Sequence, residues 1–170
     1  MKPGKVVELA CLEVVCNGAQ VLIWTVFDEE TNLIMQAFSG GHEGVEPGVC
    51  VRALTGKTRD EDRENILMDF KKGQIDVLVS NARMLGFGQN LQMAGVMIIS
   101  GWNDSFEQLY QLIRRSVRYG QTKVVRVHIP IVPELEQAQW DNLQRKQKNF
   151  DEQAAMQERY YLEAMGDRIG

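Results

Sequence analysis

Five short runs of apolar, largely β-branched residues alternate with helical patterns along most of this sequence. The runs occupy residues 20–27, 49–54, 75–79, 96–100 and 124–129, and helical patterns lie between them at 28–38 and 59–72. Buried strands have this composition and length. Strands that alternate with helices predict βαβ units, so we expect an α/β fold with a parallel sheet sandwiched between helices. Ligands of such a sheet bind beyond the carboxyl ends of its strands.

The pattern changes after Pro133, where strand-like runs cease and a helical pattern continues toward the C-terminus. We therefore predict one domain over residues 1–133 and a helical extension over residues 134–170. The chain has 170 residues, of which 44% are hydrophobic, and this is sufficient for one globular core.

The composition excludes several classes of protein. No apolar run approaches the roughly 20 residues that cross a bilayer, and residues 1–5 lack an apolar signal core. We therefore expect no membrane association and no secretion, and a location in the cytoplasm or at the nucleoid. The three cysteines lack Cys-x-x-Cys spacing and the two histidines are far apart in sequence, so no metal site is predicted.

The distribution of charge is more informative than its sum. The net charge of −4 argues against a protein that wraps nucleic acid by bulk electrostatics. Between residues 110 and 130, however, there are basic residues and no acidic ones: Arg114, Arg115, Arg118, Lys123 and Arg126. This local cationic patch is suited to phosphate groups.

Residues 103–119 have the pattern of an amphipathic helix. Its apolar face is predicted to comprise Phe106, Leu109, Tyr110, Ile113 and Val117. Gln111, Arg115 and Arg118 fall almost opposite that face, within a sector of roughly 60°. Guanidinium groups match phosphate oxygens with a planar fork of donors, as an arginine finger requires. A solvated basic face is the alternative interpretation of the same pattern.

Two short segments imitate nucleotide-binding motifs. Gly56-Lys57-Thr58 resembles the end of a phosphate loop, but Val51 stands where that motif requires glycine. Asp28, which follows a strand, imitates an acidic magnesium motif, yet its position predicts a cap for the helix at 28–38. The spacing of Thr58 and Glu61 likewise predicts a capping box for the helix at 59–72.

Several motifs resemble those of superfamily 2 helicases, in their order along the chain. Residues 110–121 read Tyr-Gln-Leu-Ile-Arg-Arg-Ser-Val-Arg-Tyr-Gly-Gln and resemble the final motif in its Swi/Snf-like form, which ends Arg-x-Gly-Gln. Residues 86–91 resemble the Gly-x-Gly-x-Asn-Leu motif, and Trp102-Asn103 resembles the Trp-Asn that follows the next strand. Residues 21–25 and 54–56 resemble the first-strand motif and the Thr-Gly turn. The chain therefore resembles the C-terminal RecA-like lobe of such a motor over roughly residues 5–132.

The resemblance implies roles for individual residues. Arg115 and Arg118 would face the ATP phosphates, with Gln111 ordering the site and Gly88 and Asn90 at the interlobe cleft. A tight turn is the structural alternative for the glycines at 86 and 88. Five further residues would lie near the DNA backbone, where small polar groups position phosphate without reading sequence: Thr25, Thr55, Gly56, Ser80 and Asn81.

The resemblance also implies a divided ATP site. ATP and Mg²⁺ would be held mainly by an N-terminal RecA-like lobe that carries the phosphate loop, so we expect this chain alone to bind no cofactor and to be inactive. The Swi/Snf-like ending favours duplex DNA as the partner. Two other functions stay open: a non-catalytic nucleic-acid-binding or interaction module with a helicase-lobe fold, and a free-standing nucleotide-binding domain.

Overall fold

The computed structural model describes residues 2–40, 45, 48–81, 84, 91, 93–102, 106–114 and 124–166. Within them the helices are α1 (Lys2–Asn17), α2 (Asp28–Ser39), α3 (Asp60–Lys71), α4 (Phe106–Ile113) and α5 (Pro133–Gly166). The strands are β1 (Val21–Thr25), β2 (Val51–Leu54), β3 (Val77–Asn81), β4 (Val96–Ile99) and β5 (Arg126–His128). Each predicted apolar run therefore overlaps a strand.

The strands form one parallel sheet in the order β2-β3-β1-β4-β5. Strand β1 is central, with β3 on one side and β4 on the other. The carboxyl ends of β1 and β3 are in register, because Thr25 is paired with Asn81. The prediction of an α/β fold with a parallel sheet is confirmed, and the sheet places the ends of β1, β3 and β4 side by side.

Both faces of the central strands are buried. On one face alternate strand residues pack with α1 and α2 into a single apolar cluster, which includes Val6, Val7, Ala10, Cys11, Val21, Ile23, Ile34, Phe38, Val77, Val79, Val96 and Ile98. The intervening strand residues, such as Leu22, Leu78 and Met97, point to the opposite face and are also fully buried. Burial on both faces explains why the strands are continuous apolar runs without polar alternation.

Helix α1 lies outside the predicted elements. Its buried residues Val6, Val7, Ala10 and Cys11 follow the spacing of a helical apolar face. Lys2, Pro3 and Gly4 at its start and the β-branched valines within it make its local helix preference weak. Burial against the sheet stabilises this helix, so its existence depends on tertiary packing.

The two capping predictions are wrong. The residue before α2 is Phe27, and no side chain caps that helix, because the Asp28 carboxylate accepts hydrogen bonds from other parts of the chain. The residue before α3 is Arg59, also without a side-chain cap. Thr58 instead accepts a hydrogen bond from the backbone of Thr55. In both cases a partner outside the helix displaces the local interaction.

The chain divides into two compact units. One comprises Met1–Asn103 with Glu107–Pro130, and the other comprises Asp104–Phe106 with Ile131–Gly170. The second contains α5, whose first turn is fixed by the Glu136 carboxylate accepting from the backbone N–H of Val132 at 2.8 Å. The helical extension is confirmed as an element, whereas the domain boundary between residues 133 and 134 stays a prediction. Among the described residues no helix has the length and apolar character that a bilayer span requires.

Candidate functional site

Polar side chains gather where the central strands end. Thr25 ends β1, Ser80 and Asn81 end β3, and Ser100 follows β4. Thr55 and Gly56 follow β2, the neighbour of β3. Because the strands are parallel, all these residues lie along the carboxyl edge of the sheet, where ligands of this architecture bind. The edge therefore brings together all five residues predicted to lie near DNA.

One carboxylate joins two of these residues. Asp28 Oδ1 accepts a hydrogen bond from Asn81 Nδ2 at 2.6 Å, and Asp28 Oδ2 accepts one from the Gly56 backbone N–H at 3.0 Å. Asn81 Oδ1 in turn accepts from the backbone N–H of Met84 at 3.0 Å. The contacts connect α2 to the end of β3 and to the turn after β2. Sequence reasoning assigned Asp28 only a capping role and missed this bridge.

The turn that contains Gly56 is closed by its own residues. The Thr58 N–H donates to the Thr55 carbonyl oxygen at 3.0 Å, and the Thr55 N–H donates to Thr58 Oγ1 at 3.0 Å. Gly56 and Lys57, at the tip, are exposed. A Cβ atom on Gly56 would lie 3.1 Å from Asp28 Oδ2, which explains why a residue without a side chain suits this position. The turn thus presents the Gly56 N–H toward an anionic oxygen.

The predicted DNA-contacting residues differ in accessibility. Thr25, Ser80 and Asn81 are buried, with the Thr25 hydroxyl 2.7 Å from that of Thr31 and the Ser80 hydroxyl donating to the Asn81 carbonyl oxygen at 3.1 Å. Thr55 is partly buried and Gly56 is exposed. Among these five residues, those of the turn after β2 are therefore the ones accessible to a ligand. The buried residues form hydrogen bonds at the strand ends, in the interior.

A second carboxylate connects β1 and β4 at the same edge. Glu30 Oε2 accepts from the Val26 N–H at 3.0 Å, and Glu30 Oε1 accepts from the buried Ser100 hydroxyl at 2.6 Å. A Cβ atom on Gly101 would lie 2.6 Å from Glu30 Oε2 and 3.1 Å from Val26 Cγ2. Gly101 is thus the residue that allows the carboxylate to approach the chain after β4.

Helix α4 spans Phe106–Ile113. Leu109 is buried, Tyr110 and Ile113 are partly buried and Gln111 is exposed, which agrees with the predicted apolar and polar faces. Arg114 donates to the Tyr110 hydroxyl at 3.1 Å and its guanidinium lies 5.5 Å from the centre of that ring. The other predicted residues of the ATP site, Arg115, Arg118, Gly88 and Asn90, lie outside the described residues.

A buried carboxylate connects α1 to the edge strand β5. Glu13 of α1 accepts hydrogen bonds from Arg126 of β5 and from Asn17, and its Oε1 lies 2.8 Å from His128 Nε2. Burial raises the pKa of the Glu13 carboxyl, but hydrogen bonds with His128, Asn17 and Arg126 outweigh it and hold that pKa below the ordinary value. Sequence gave no signal for this cluster, because Glu13 is more than a hundred residues from its β5 partners.

The described ranges contain no group of three or more histidine, cysteine, aspartate or glutamate side chains arranged to hold a metal ion. The carboxyl edge instead offers fixed backbone and amide donors, with Asp28 and Glu30 as their acceptors. Such donors bind anionic oxygens and carry out no bond-making step by themselves. Chemistry at this edge would therefore need groups from elsewhere.

The chain is similar to known helicase sequences. Residues 5–120 match the family profile described as the helicase conserved C-terminal domain. A protein of Schizosaccharomyces pombe named putative mitochondrial ATP-dependent helicase irc3 is 28% identical over 114 residues, which are 67% of this chain and 18% of that protein. The ATP-dependent helicase BRM of Arabidopsis thaliana is 33% identical over 78 residues, 45% of this chain and 4% of that protein. The chain thus spans less than a fifth of either relative.

Two solved structures share the fold. The C-terminal part of the Fun30 ATPase domain superposes with a TM-score of 0.61 and 24% identity, covering 72% of this chain and 38% of that one. The yeast DEAD-box splicing factor Prp28 superposes with a TM-score of 0.58 and 12% identity, covering 81% of this chain and 30% of that one. The RecA-like arrangement predicted for the sheet is therefore confirmed.

Proposed function

Because this chain belongs to the helicase conserved C-terminal domain family, we propose that it is the second motor lobe of an ATP-dependent DNA helicase or translocase. The single observation that carries the proposal is the family match over residues 5–120, which includes the whole segment from the β1 strand to Arg118. The resemblance to the C-terminal lobe of a Swi/Snf-like superfamily 2 helicase is confirmed at the level of the family.

Arg115 and Arg118 are the residues proposed to act on ATP. The burial pattern of α4 supports this, because the buried Leu109 and the exposed Gln111 agree with the predicted apolar and polar faces. In the helix predicted over residues 103–119, Arg115 and Arg118 lie one and two turns after Gln111, on the same polar side. Guanidinium groups presented there would stabilise charge on the phosphoryl group in transfer. Gly88 and Asn90 are proposed to line the same cleft.

The turn after β2 is proposed to contact the DNA backbone. Gly56 is exposed and its backbone N–H faces the Asp28 carboxylate, Lys57 is an exposed cation beside it, and Thr55 lies at the base of the turn. Thr25, Ser80 and Asn81 are proposed to support this contact from the interior of the domain, because their side chains are buried and hydrogen-bonded. Contacts of this kind fix a phosphate without reading bases. Duplex DNA is the proposed substrate.

The proposal requires a partner lobe. ATP and Mg²⁺ would be held by an N-terminal RecA-like lobe with a phosphate loop, and closure of the cleft would bring Arg115 and Arg118 onto the phosphates. The isolated chain is then expected to hydrolyse no ATP. A location in the cytoplasm or at the nucleoid is also proposed.

The test is to join the chain to a phosphate-loop lobe of its own family and to measure DNA-stimulated ATP hydrolysis. Turnover by the joined protein and none by either lobe alone is the expected result. A nucleic-acid-binding module without a catalytic role is the second candidate. It would bind DNA through the Gly56 turn and leave the joined protein inactive.

A further inference from the structure

The Gly56 N–H and the Asn81 side-chain amide are two donors from separate elements that converge on one anion. Their acceptor is the Asp28 carboxylate, at 3.0 Å and 2.6 Å. A carboxylate and a phosphate both present negatively charged oxygens to such donors. The two donors therefore already bind an anionic group of the protein itself, and the proposed function would bring a DNA phosphate to the same place.

Both donors are already hydrogen-bonded to Asp28 in this arrangement. Asn81 is 6% exposed, and its Oδ1 is held by the Met84 N–H while its Nδ2 is held by Asp28. The Gly56 N–H lies on an exposed turn, where a phosphate oxygen can reach it. A phosphate that approaches Gly56 meets the Asp28 carboxylate at the same position, and two anions cannot share one donor without repulsion.

We propose that Asp28 sets the affinity of this edge for nucleic acid, by competing as an internal anion with a backbone phosphate for the Gly56 N–H. This inference rests on the proposed function, in which the turn after β2 contacts DNA. The phosphate binds when the carboxylate rotates away, and the carboxylate returns when the strand leaves. Asp28 thereby weakens the contact and keeps the turn in place between binding events.

The test compares Asp28→Ala with Glu29→Ala in the complete chain. Glu29 is the matched control, because it is the next acidic residue of the first turn of α2 and is exposed, and the carboxylate at Gly56 belongs to Asp28. Both changes remove one negative charge from the same turn, and only the first vacates the Gly56 N–H. Urea unfolding verifies that each variant is folded. If Asp28→Ala does not fold, Asp28→Asn replaces it, because this change removes the negative charge and its neutral amide oxygen competes more weakly for the Gly56 N–H.

Two measurements decide the outcome. The first is binding of a labelled DNA oligonucleotide at low salt, for which the Asp28 variant is expected to bind about tenfold more tightly than Glu29→Ala, a change typical of one charge-assisted hydrogen bond. The second is the amide resonance of Gly56 during titration with inorganic phosphate. It is expected to shift and saturate in the Asp28 variant at concentrations that leave the unmodified chain unchanged.

The results separate this inference from the proposed function. Equal or weaker DNA binding by the Asp28 variant, relative to Glu29→Ala, overturns the competition even if DNA binding itself is observed. If no variant binds DNA but phosphate shifts the Gly56 resonance only after Asp28 is replaced, the competition is supported and the DNA contact fails. A Gly56 resonance that responds to neither DNA nor phosphate in the Asp28 variant overturns the inference.

Discussion

Asp28 and Asn81 are 53 residues apart in sequence, and their side chains form a hydrogen bond of 2.6 Å at the carboxyl edge of the sheet. The bond joins the start of α2 to the end of β3, and through the other carboxylate oxygen it also reaches the Gly56 turn. The relationship makes one acidic side chain the junction of three elements. The two partners of Asp28, Asn81 and Gly56, are positions at which the family resemblance implies contact with DNA.

Replacing Asn81 with alanine is expected to destabilise the chain by about 1–3 kcal/mol, because the Met84 N–H and the Asp28 carboxylate both lose their partner in partly buried hydrogen bonds. Chemical denaturation monitored by circular dichroism measures the change. Asn32→Ala, at an exposed position of α2, is the matched control and is expected to be neutral or slightly stabilising. Similar losses for the two variants would show that the Asn81 bridge contributes nothing.

Replacing Gly101 with alanine is expected to cost about 1–2 kcal/mol, since the new Cβ would displace Glu30 and break its bonds with Val26 and Ser100. Gly95→Ala is the control, because a Cβ at Gly95 meets no atom within 4 Å. The midpoint of thermal unfolding reports both variants. An equal midpoint for the two would contradict the close approach of Glu30.

The Glu13 cluster predicts a pH-dependent stability. The pKa of Glu13 in the folded chain lies below its ordinary value of 4.5. The carboxylate therefore contributes its full stability above about pH 4.5, and loses it as the pH falls through the lower, folded-state pKa. The charged partners that face it are Arg126 and, when protonated, His128. Glu13→Gln should therefore destabilise the chain at neutral pH by roughly 1–3 kcal/mol and progressively less below pH 4.5.

Glu8→Gln is the matched control for that measurement. Glu8 lies on the same helix and pairs with Lys5, but the two side chains are 53% and 61% exposed. Such a surface pair contributes roughly 0–1 kcal/mol, so this variant should follow the unmodified chain at each pH. A difference between Glu13→Gln and the unmodified chain that stays constant at every pH below 4.5 at which the chain is folded would contradict the assigned role of the carboxylate.

The fold could be predicted from sequence because its signals are local. Residues Val77, Leu78 and Val79 of β3, for example, are a continuous apolar run, and burial on both faces of the sheet produces that composition. Helix α1 also carried a usable signal in the spacing of Val6, Val7, Ala10 and Cys11. The carboxylate bridges left no signal in the sequence. The position of Asp28 is typical of a helix cap, and its partners Asn81 and Gly56 come close to it only when the sheet has formed.

Arg115 and Arg118 are proposed to act on ATP held by another lobe. The direct measurement is kcat for DNA-stimulated ATP hydrolysis by the chain joined to its phosphate-loop lobe, for Arg115→Ala and Arg118→Ala beside Arg114→Ala. Arg114 is the control, since its guanidinium already contacts the Tyr110 side chain. Loss of about 10³-fold or more at Arg115 or Arg118, with a small effect at Arg114, is the predicted result. Full activity in both finger variants, or ATP turnover by the isolated chain that Arg115→Ala abolishes, would contradict the account.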